Sequence, residues 1–260
     1  MKTVEVNVVD LFDLKSRKAI VTGGTRGLGR GMAEALLEAG VEVAIVGASD
    51  RALAVSGEFR DAGFACHGLV ADIADAGKRE AAFEQALKLF GGRLDILVNA
   101  AGVQRRHPAE AFPLDEWREV LEVNLTATFA MCQLAGRVML EQATGKIVNV
   151  ASLLSVFGGF TVPAYAASKG GVSQLTKALA NEWAGRGVNV NAIAPGYMLT
   201  EMNAALIADP GRNAEITARI PAHRWGTPND MKGPLLFLAS SASDYVNGAM
   251  LPVDGGYLGR

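Results

Sequence analysis

Tyr165 and Lys169 stand four residues apart in a stretch with helical periodicity, Tyr165-Ala166-Ala167-Ser168-Lys169. That spacing projects a phenol and an ammonium from the same helix face. The pair suits proton transfer at an alcohol or carbonyl oxygen. A phenol titrates near 10 and is a poor base at neutral pH. Lowering that value by about three units takes roughly 4 kcal/mol of preferential phenolate stabilisation, which a neighbouring cation helps to supply. Ser152 follows a β-rich run, where its hydroxyl could hydrogen-bond the same oxygen and hold it beside Tyr165. Asn124, in Val123-Asn124-Leu125, falls mid-helix, where asparagine has poor propensity. Each residue has an ordinary reading taken alone: chance helix spacing, a turn serine, a solvated asparagine. The ordered set Asn124, Ser152, Tyr165, Lys169 behind a glycine turn is hard to attribute to coincidence.

That turn is Thr22-Gly23-Gly24-Thr25-Arg26-Gly27-Leu28-Gly29, between an apolar run and a helical pattern. Glycines allow a sharp reversal and let a helix N-terminus approach a pyrophosphate, whose charge the exposed amides and the helix dipole favour. The spacing T-G-x-x-x-G-x-G differs from G-x-G-x-x-G. With a dinucleotide held there, an oxidised nicotinamide would be a second cation beside Tyr165, and hydride could move between its ring and a carbinol carbon.

Short apolar runs alternate with longer helical stretches. Strands are expected at 18–22, 41–46, 67–71, 94–98, 146–150, 188–193 and 250–253. Helices are expected at 28–39, 78–90, 115–140, 164–185 and 229–239, with a weaker one at 51–62. The strands are continuous apolar runs, as in a parallel sheet buried on both faces. The reading is a single-domain, Rossmann-type α/β fold over 1–260: a doubly wound parallel sheet of about seven strands with helices on both faces. Right-handed crossovers place the loops after the strands along one ligand-binding edge. Residues 1–13 read as an N-terminal extension, and 196–226, strand-free and punctuated by Pro210 and Pro221, as a substrate lid.

A net charge of −2 without a basic block points away from nucleic acid, and no run of about 18 uncharged apolar residues marks a membrane span. Cys66 and Cys132 sit in apolar patterns, and the first twelve residues lack a signal-peptide core, so a cytoplasmic setting is expected. His67, His107 and His223 show no ligand spacing, so no metal is expected.

Together these motifs resemble the short-chain dehydrogenase/reductase family, over essentially the whole chain from about Leu14 to Gly256. The resemblance implies an NAD(P)(H)-dependent oxidoreductase whose catalytic tetrad is Asn124, Ser152, Tyr165 and Lys169. It implies cofactor contacts from Gly23, Thr25, Arg26, Gly27, Leu28 and Gly29, and from Asp72 and Ile73 at the adenine. Asn99, Ala100 and Gly102 would support the central strand and border the cofactor, and Pro195, Gly196, Met198 and Thr200 would flank the nicotinamide and pyrophosphate. Lys169 would also hold the ribose, and Asn124 would anchor a proton-relaying water. Ala100 departs from the usual Asn-Asn-Ala-Gly, which removes a strand-edge hydrogen bond without touching the chemistry.

A narrower likeness lies in Arg105-Arg106, Ala194-Pro195-Gly196-Tyr197-Met198, Ile220-Pro221-Ala222-His223-Arg224-Trp225-Gly226 and the glycine-rich tail. It resembles the family's sugar-acid branch, whose members act on 2-dehydro-3-deoxy-D-gluconate, 2-deoxy-D-gluconate or gluconate. Arg105 and Arg106 suit a carboxylate through bidentate pairing. Tyr197 and Arg224 would line the same pocket, with Ser152, Leu154 and Tyr165. The strand at 41–46 is followed by Gly47-Ala48-Ser49, without the acid that reads a ribose diol. Ser49, Arg51 and Arg26 could instead take a 2′-phosphate, a lean towards NADP(H), although Asp50 lies close by. Rival readings are a 3-oxoacyl-carrier-protein reductase and a non-catalytic dinucleotide sensor. The family commonly forms homotetramers, and Tyr257 and Leu258 in the tail are compatible with a subunit contact.

Overall fold

The computed structural model describes residues 7–260. Of the expected N-terminal extension, residues 1–6 lie outside the described residues, and Asp10–Phe12 form one short turn of helix. Seven strands make one parallel sheet: β1 (Lys18–Thr22), β2 (Glu42–Gly47), β3 (Cys66–Val70), β4 (Ile96–Asn99), β5 (Gly145–Val150), β6 (Val188–Pro195) and β7 (Met250–Val253). Their order is β3-β2-β1-β4-β5-β6-β7. The order reverses between β1 and β4, in register as Ala19 opposite Ile96 and Thr22 opposite Asn99. A crevice must open there, beyond the strand C-termini.

The apolar runs fold as strands because both faces are covered. On one face α1 (Gly27–Glu38) and α9 (Lys232–Ala239) pack Met32, Leu36 and Leu235 against Val21, Ile45 and Val98. α2 (Arg51–Asp61) flanks the same side through Val55 and Phe59. On the other face α3 (Ala76–Leu89), α5 (Ala127–Gln142) and α6 (Pro163–Trp183) bring Phe83, Met131 and Trp183 onto Ile20, Leu97 and Ile147. Full burial of such a side chain is worth about 1.5–3 kcal/mol.

Two expected features change. The helix expected at 115–140 is interrupted: α4 (Leu114–Leu121) passes through a π-helical turn, Glu122–Thr126, before α5 begins. The amide of Ala127 reaches back five residues to the carbonyl of Glu122. The segment 196–226 is not a plain loop. It carries α7 (Ala204–Ala208) and α8 (Pro210–Arg219), and its ends are tied where Leu199 N donates to Gly226 O at 2.8 Å and Gly226 N to Tyr197 O at 2.9 Å. Beneath it, Leu153, Ile216, Ile220, Trp225 and Tyr257 form a separate buried cluster. Tyr257, expected in the exposed tail, is 6% exposed and packs within its own chain.

Candidate active site

A cleft of about 1310 Å³ runs along the strand C-termini from the glycine turn to the segment 196–226. Gly23 turns the chain out of β1 with φ +70°, where a Cβ would stand 2.7 Å from the Cα of Ala101. Only glycine permits that approach. Gly27 (φ +51°) then opens α1, whose first residues line the cleft.

At the other end, β5 delivers Ser152. Its Oγ accepts from Leu154 N at 3.1 Å, capping a short turn at Leu153–Ser155. Ser155 ties this turn to α6: its Oγ accepts from Ser152 N at 3.3 Å and donates to the Lys169 carbonyl at 2.7 Å. One helical turn apart on α6, Tyr165 is partly open to the cleft and Lys169 is buried, its Nζ 5.7 Å from the phenol ring centre. Lys169 Nζ donates to Val150 O at 2.6 Å. Burial lowers its pKa to about 8. Enclosure raises the Tyr165 pKa, and a hydrogen bond with Ser152 works against that rise.

Asn124 sits in the π-helical turn, fully buried. Its Oδ1 accepts from Val103 N at 2.8 Å, and its Nδ2 donates to Val103 O at 3.0 Å and Ser168 Oγ at 3.0 Å. Its carbonyl accepts from Thr128 Oγ1 at 2.8 Å. The asparagine thus fastens the loop after β4 to α6. A Cβ on Gly102 would lie 3.3 Å from Asn124 Oδ1, a tight contact, and 3.8 Å from Lys169 Nζ, an ordinary one.

Below the edge, Asn99 Nδ2 donates to Asn149 Oδ1 at 2.9 Å, and Asn149 Nδ2 donates to Thr176 Oγ1 at 3.0 Å, a buried polar chain joining β4, β5 and α6. Asn99 therefore supports the edge from inside and does not border the cleft. Ala100 does line it, with Gly102, Asp72, Ile73, Leu28, Thr25, Gly29, Pro195, Gly196, Met198 and Thr200.

The arginines separate into different situations. Arg105 and Arg106 both line the cleft, but Arg105 Nη2 pairs with Glu119 at 2.6 Å. Arg224 is placed otherwise than expected: it lies off the cleft lining and grips Asp230 at 2.6 and 2.9 Å, above the cap that Asp230 forms with Thr227. Ser49 and Arg51 lie beyond the lining, although Arg51 and Arg26 converge on Glu201 at 3.8 and 2.8 Å. Ser155, Glu201, His107, Arg219 and Tyr257 were missed from sequence and are part of the surroundings; all but Ser155 line the cleft.

A family model described as enoyl-(acyl carrier protein) reductase matches residues 23–258. The 2-dehydro-3-deoxy-D-gluconate 5-dehydrogenase of Pseudoalteromonas atlantica is 47% identical over 260 residues, covering 97% of this chain and 100% of that protein. The enzyme of the same name from Bacillus subtilis is 48% identical, covering 96% and 98%. The chain belongs to the short-chain dehydrogenase/reductase family. Among solved structures, a gluconate 5-dehydrogenase from Burkholderia cenocepacia in complex with NADP and tartrate superposes with a TM-score of 0.93 at 40% identity, covering 98% of this chain and 100% of that one.

As a short-chain dehydrogenase/reductase the protein is an oxidoreductase acting on CH–OH groups with NAD(P)(H). Its residues fit that cofactor. At Gly23, Gly24 and Gly29 a Cβ would meet neighbouring atoms closer than 3.0 Å, so the turn stays bare at these positions, and Lys169 has three N–H donors but one acceptor, Val150 O, among the described residues. The Gly23–Gly29 turn would hold the phosphates, Asp72 and Ile73 the adenine end, and Lys169 the ribose next to the nicotinamide.

Proposed function

We propose that this short-chain dehydrogenase/reductase interconverts a secondary alcohol and a ketone on a six-carbon sugar acid of the 2-dehydro-3-deoxy-D-gluconate, 2-deoxy-gluconate or gluconate type, with NADP(H) preferred. The observation that carries this reading is Tyr165, Lys169 and Ser152 at one end of a cleft bordered by Arg105 and Arg106. Relatives named for sugar acids, at 47–48% identity over nearly the full chain, support it.

In the reducing direction the Tyr165 hydroxyl donates its proton to the substrate oxygen, and in oxidation the phenolate accepts it. Ser152 Oγ hydrogen-bonds the same oxygen and the phenol, aligning them. The Lys169 charge favours the phenolate across 5.7 Å of enclosed space. When bound, the cofactor supplies or takes the hydride at nicotinamide C4. Asn124 positions the loop at Val103 and the helix carrying Tyr165, and so keeps the proton route at Lys169 in place.

The NADP lean rests on the end of β2. A Cβ on Gly47 would stand 2.6 Å from Thr25 Cγ2, leaving no place for an acidic side chain there. Arg26 and Arg51 already share one anionic partner, Glu201, which a 2′-phosphate could replace. The reading extends to one domain over 1–260 with 196–226 as lid, in a cytoplasmic homotetramer. Exposed Leu114 and Phe129 on α4 and α5 favour a subunit contact, and unpaired, buried Cys66 and Cys132 are compatible with a reducing compartment.

The test is a screen at 340 nm of NADH and NADPH against keto-sugar acids and a 3-oxoacyl thioester. Turnover of a six-carbon keto acid, faster with NADPH, is expected. Silence on all acids with turnover of the thioester would overturn the substrate reading and leave the Tyr165 chemistry standing.

A further inference from the structure

Among the arginines on the cleft wall, most are neutralised by their own neighbours. Arg26 pairs with Glu201, Arg105 with Glu119 and Arg212 with Glu215. Arg219, the last residue of α8, lines the cleft and has no carboxylate within 4.0 Å among the described residues. Arg212 and Glu215 cancel one another on the same helix, so this stretch of the lid presents one uncompensated positive charge.

Arg219 is also oriented. Its guanidinium carbon lies 4.8 Å from the ring centre of Tyr257, which is 6% exposed. That ring stacks on Phe157 at 5.8 Å and 29°, and leans on Tyr197 at 5.3 Å. Phe157 follows the turn that Ser152 caps, so an aromatic path leads from the catalytic hydroxyl to the guanidinium without leaving the cleft lining. Stacking on a fixed ring restricts a side chain that otherwise loses much rotamer entropy on binding, while leaving the N–H edges of its planar fork free for a carboxylate. Among the described residues Arg106 is likewise without a carboxylate partner, and it has no aromatic ring under its guanidinium as Arg219 has.

We infer that Arg219 is the residue of the lid that reads the substrate's carboxylate, with the rings of Tyr257 and Phe157 setting its reach from Ser152. The inference rests on the sugar-acid reading. It assigns acid selectivity to α8 and relieves Arg224 of that role.

The experiment compares a keto-sugar acid with its uncharged methyl ester, for wild type, Arg219→Met and Arg219→Lys. The Met variant should raise KM for the acid about ten- to a hundredfold, the range for a hydrogen bond to a charged group. KM for the ester should stay within about twofold, and the Lys variant should recover part of the loss because it keeps the charge without the fork. Fluorescence titration with NADPH should give unchanged affinity in all three proteins, which separates the effect from a disturbed fold. Equal changes for acid and ester, or none for either, would overturn the role of Arg219 while the sugar-acid reading stands. Wild type inactive on every sugar acid would instead overturn that reading and the inference with it.

Discussion

The two sides of the cleft are held in different ways. On the β5–α6 side, Ser152, Lys169 and Asn124 are all under 9% exposed, and their polar atoms are fastened to backbone or to the hydroxyls of Ser155 and Ser168 by bonds of 2.6–3.3 Å. On the opposite side, Arg26, Glu201, Arg212 and Glu215 are more than half exposed and bind mainly each other through charge. Buried hydrogen bonds are costly to leave unmade, so the first wall has few alternative arrangements. Exposed ion pairs contribute about 0–1 kcal/mol and exchange partners easily. Chemistry that must be repeated on every turnover is built on the first kind of surface, and recognition of a charged ligand on the second.

The comparison is sharpened most by Tyr165→Phe, which removes one hydroxyl from the rigid wall. Turnover should fall by about 10²–10⁴-fold while NADPH titration stays unchanged. Near-normal turnover in stopped-flow assays would show that proton transfer does not depend on this wall.

A pH profile probes the same wall more gently. The hydrogen bond from Ser152 lowers a Tyr165 pKa that enclosure otherwise raises. Removing it in Ser152→Ala disfavours the phenolate, so the pKa rises. Alcohol oxidation needs the phenolate, so its rate increases with pH through this ionisation. The midpoint of log kcat/KM should therefore move to higher pH in the variant, and a shift to lower pH would contradict the assignment.

Ser155→Ala leaves every group that touches substrate in place and cuts the tie between the Ser152 turn and α6. A lost neutral hydrogen bond of about 0.5–1.5 kcal/mol predicts a fall in kcat of about two- to tenfold, with KM little changed. The smallest effect belongs to the exposed side. Glu201→Gln should tighten NADPH binding about two- to fivefold without altering NADH binding, by removing the carboxylate that competes for Arg26 and Arg51. Equal changes for both cofactors in a calorimetric titration would place the 2′-phosphate of NADPH elsewhere.

The same contrast governs how much could be read from the sequence. The strands were legible because a sheet covered on both faces leaves uninterrupted apolar runs such as Val43–Val46. Tyr165 and Lys169 were legible because helix geometry is local, and Asn124 because asparagine is out of place in a helix. The break in the helix at 122–126 was not, since its sequence keeps a helical pattern and the extra residue shows only in the hydrogen bonds. The lid helices were passed over although Asp209-Pro210 carries a start signal, and Asp209 Oδ1 does accept from Gly211 N and Arg212 N. Arg224 was read from the likeness of the 220–226 stretch to the sugar-acid branch, whereas its guanidinium pairs with Asp230, six residues on. Which arginine stays unpaired depends on where distant acids fall, and no local rule of spacing contains that.

Each residue of an α-helix advances the chain by about 100°, so the residue accommodated in the Glu122–Thr126 turn acts as an angular offset between α4 and α5. Glu116 and Glu119, which hold Arg105 at the cleft rim, lie on the α4 side of that offset, while Val120 beside them is fully buried. Deleting one residue from the turn would restore an unbroken helical ladder and swing α4 by about a third of a revolution. Val120 would leave the core, and the rim would lose its acids together. Chain length at this one point, more than the identity of any side chain on it, sets which charges α4 shows to an approaching substrate.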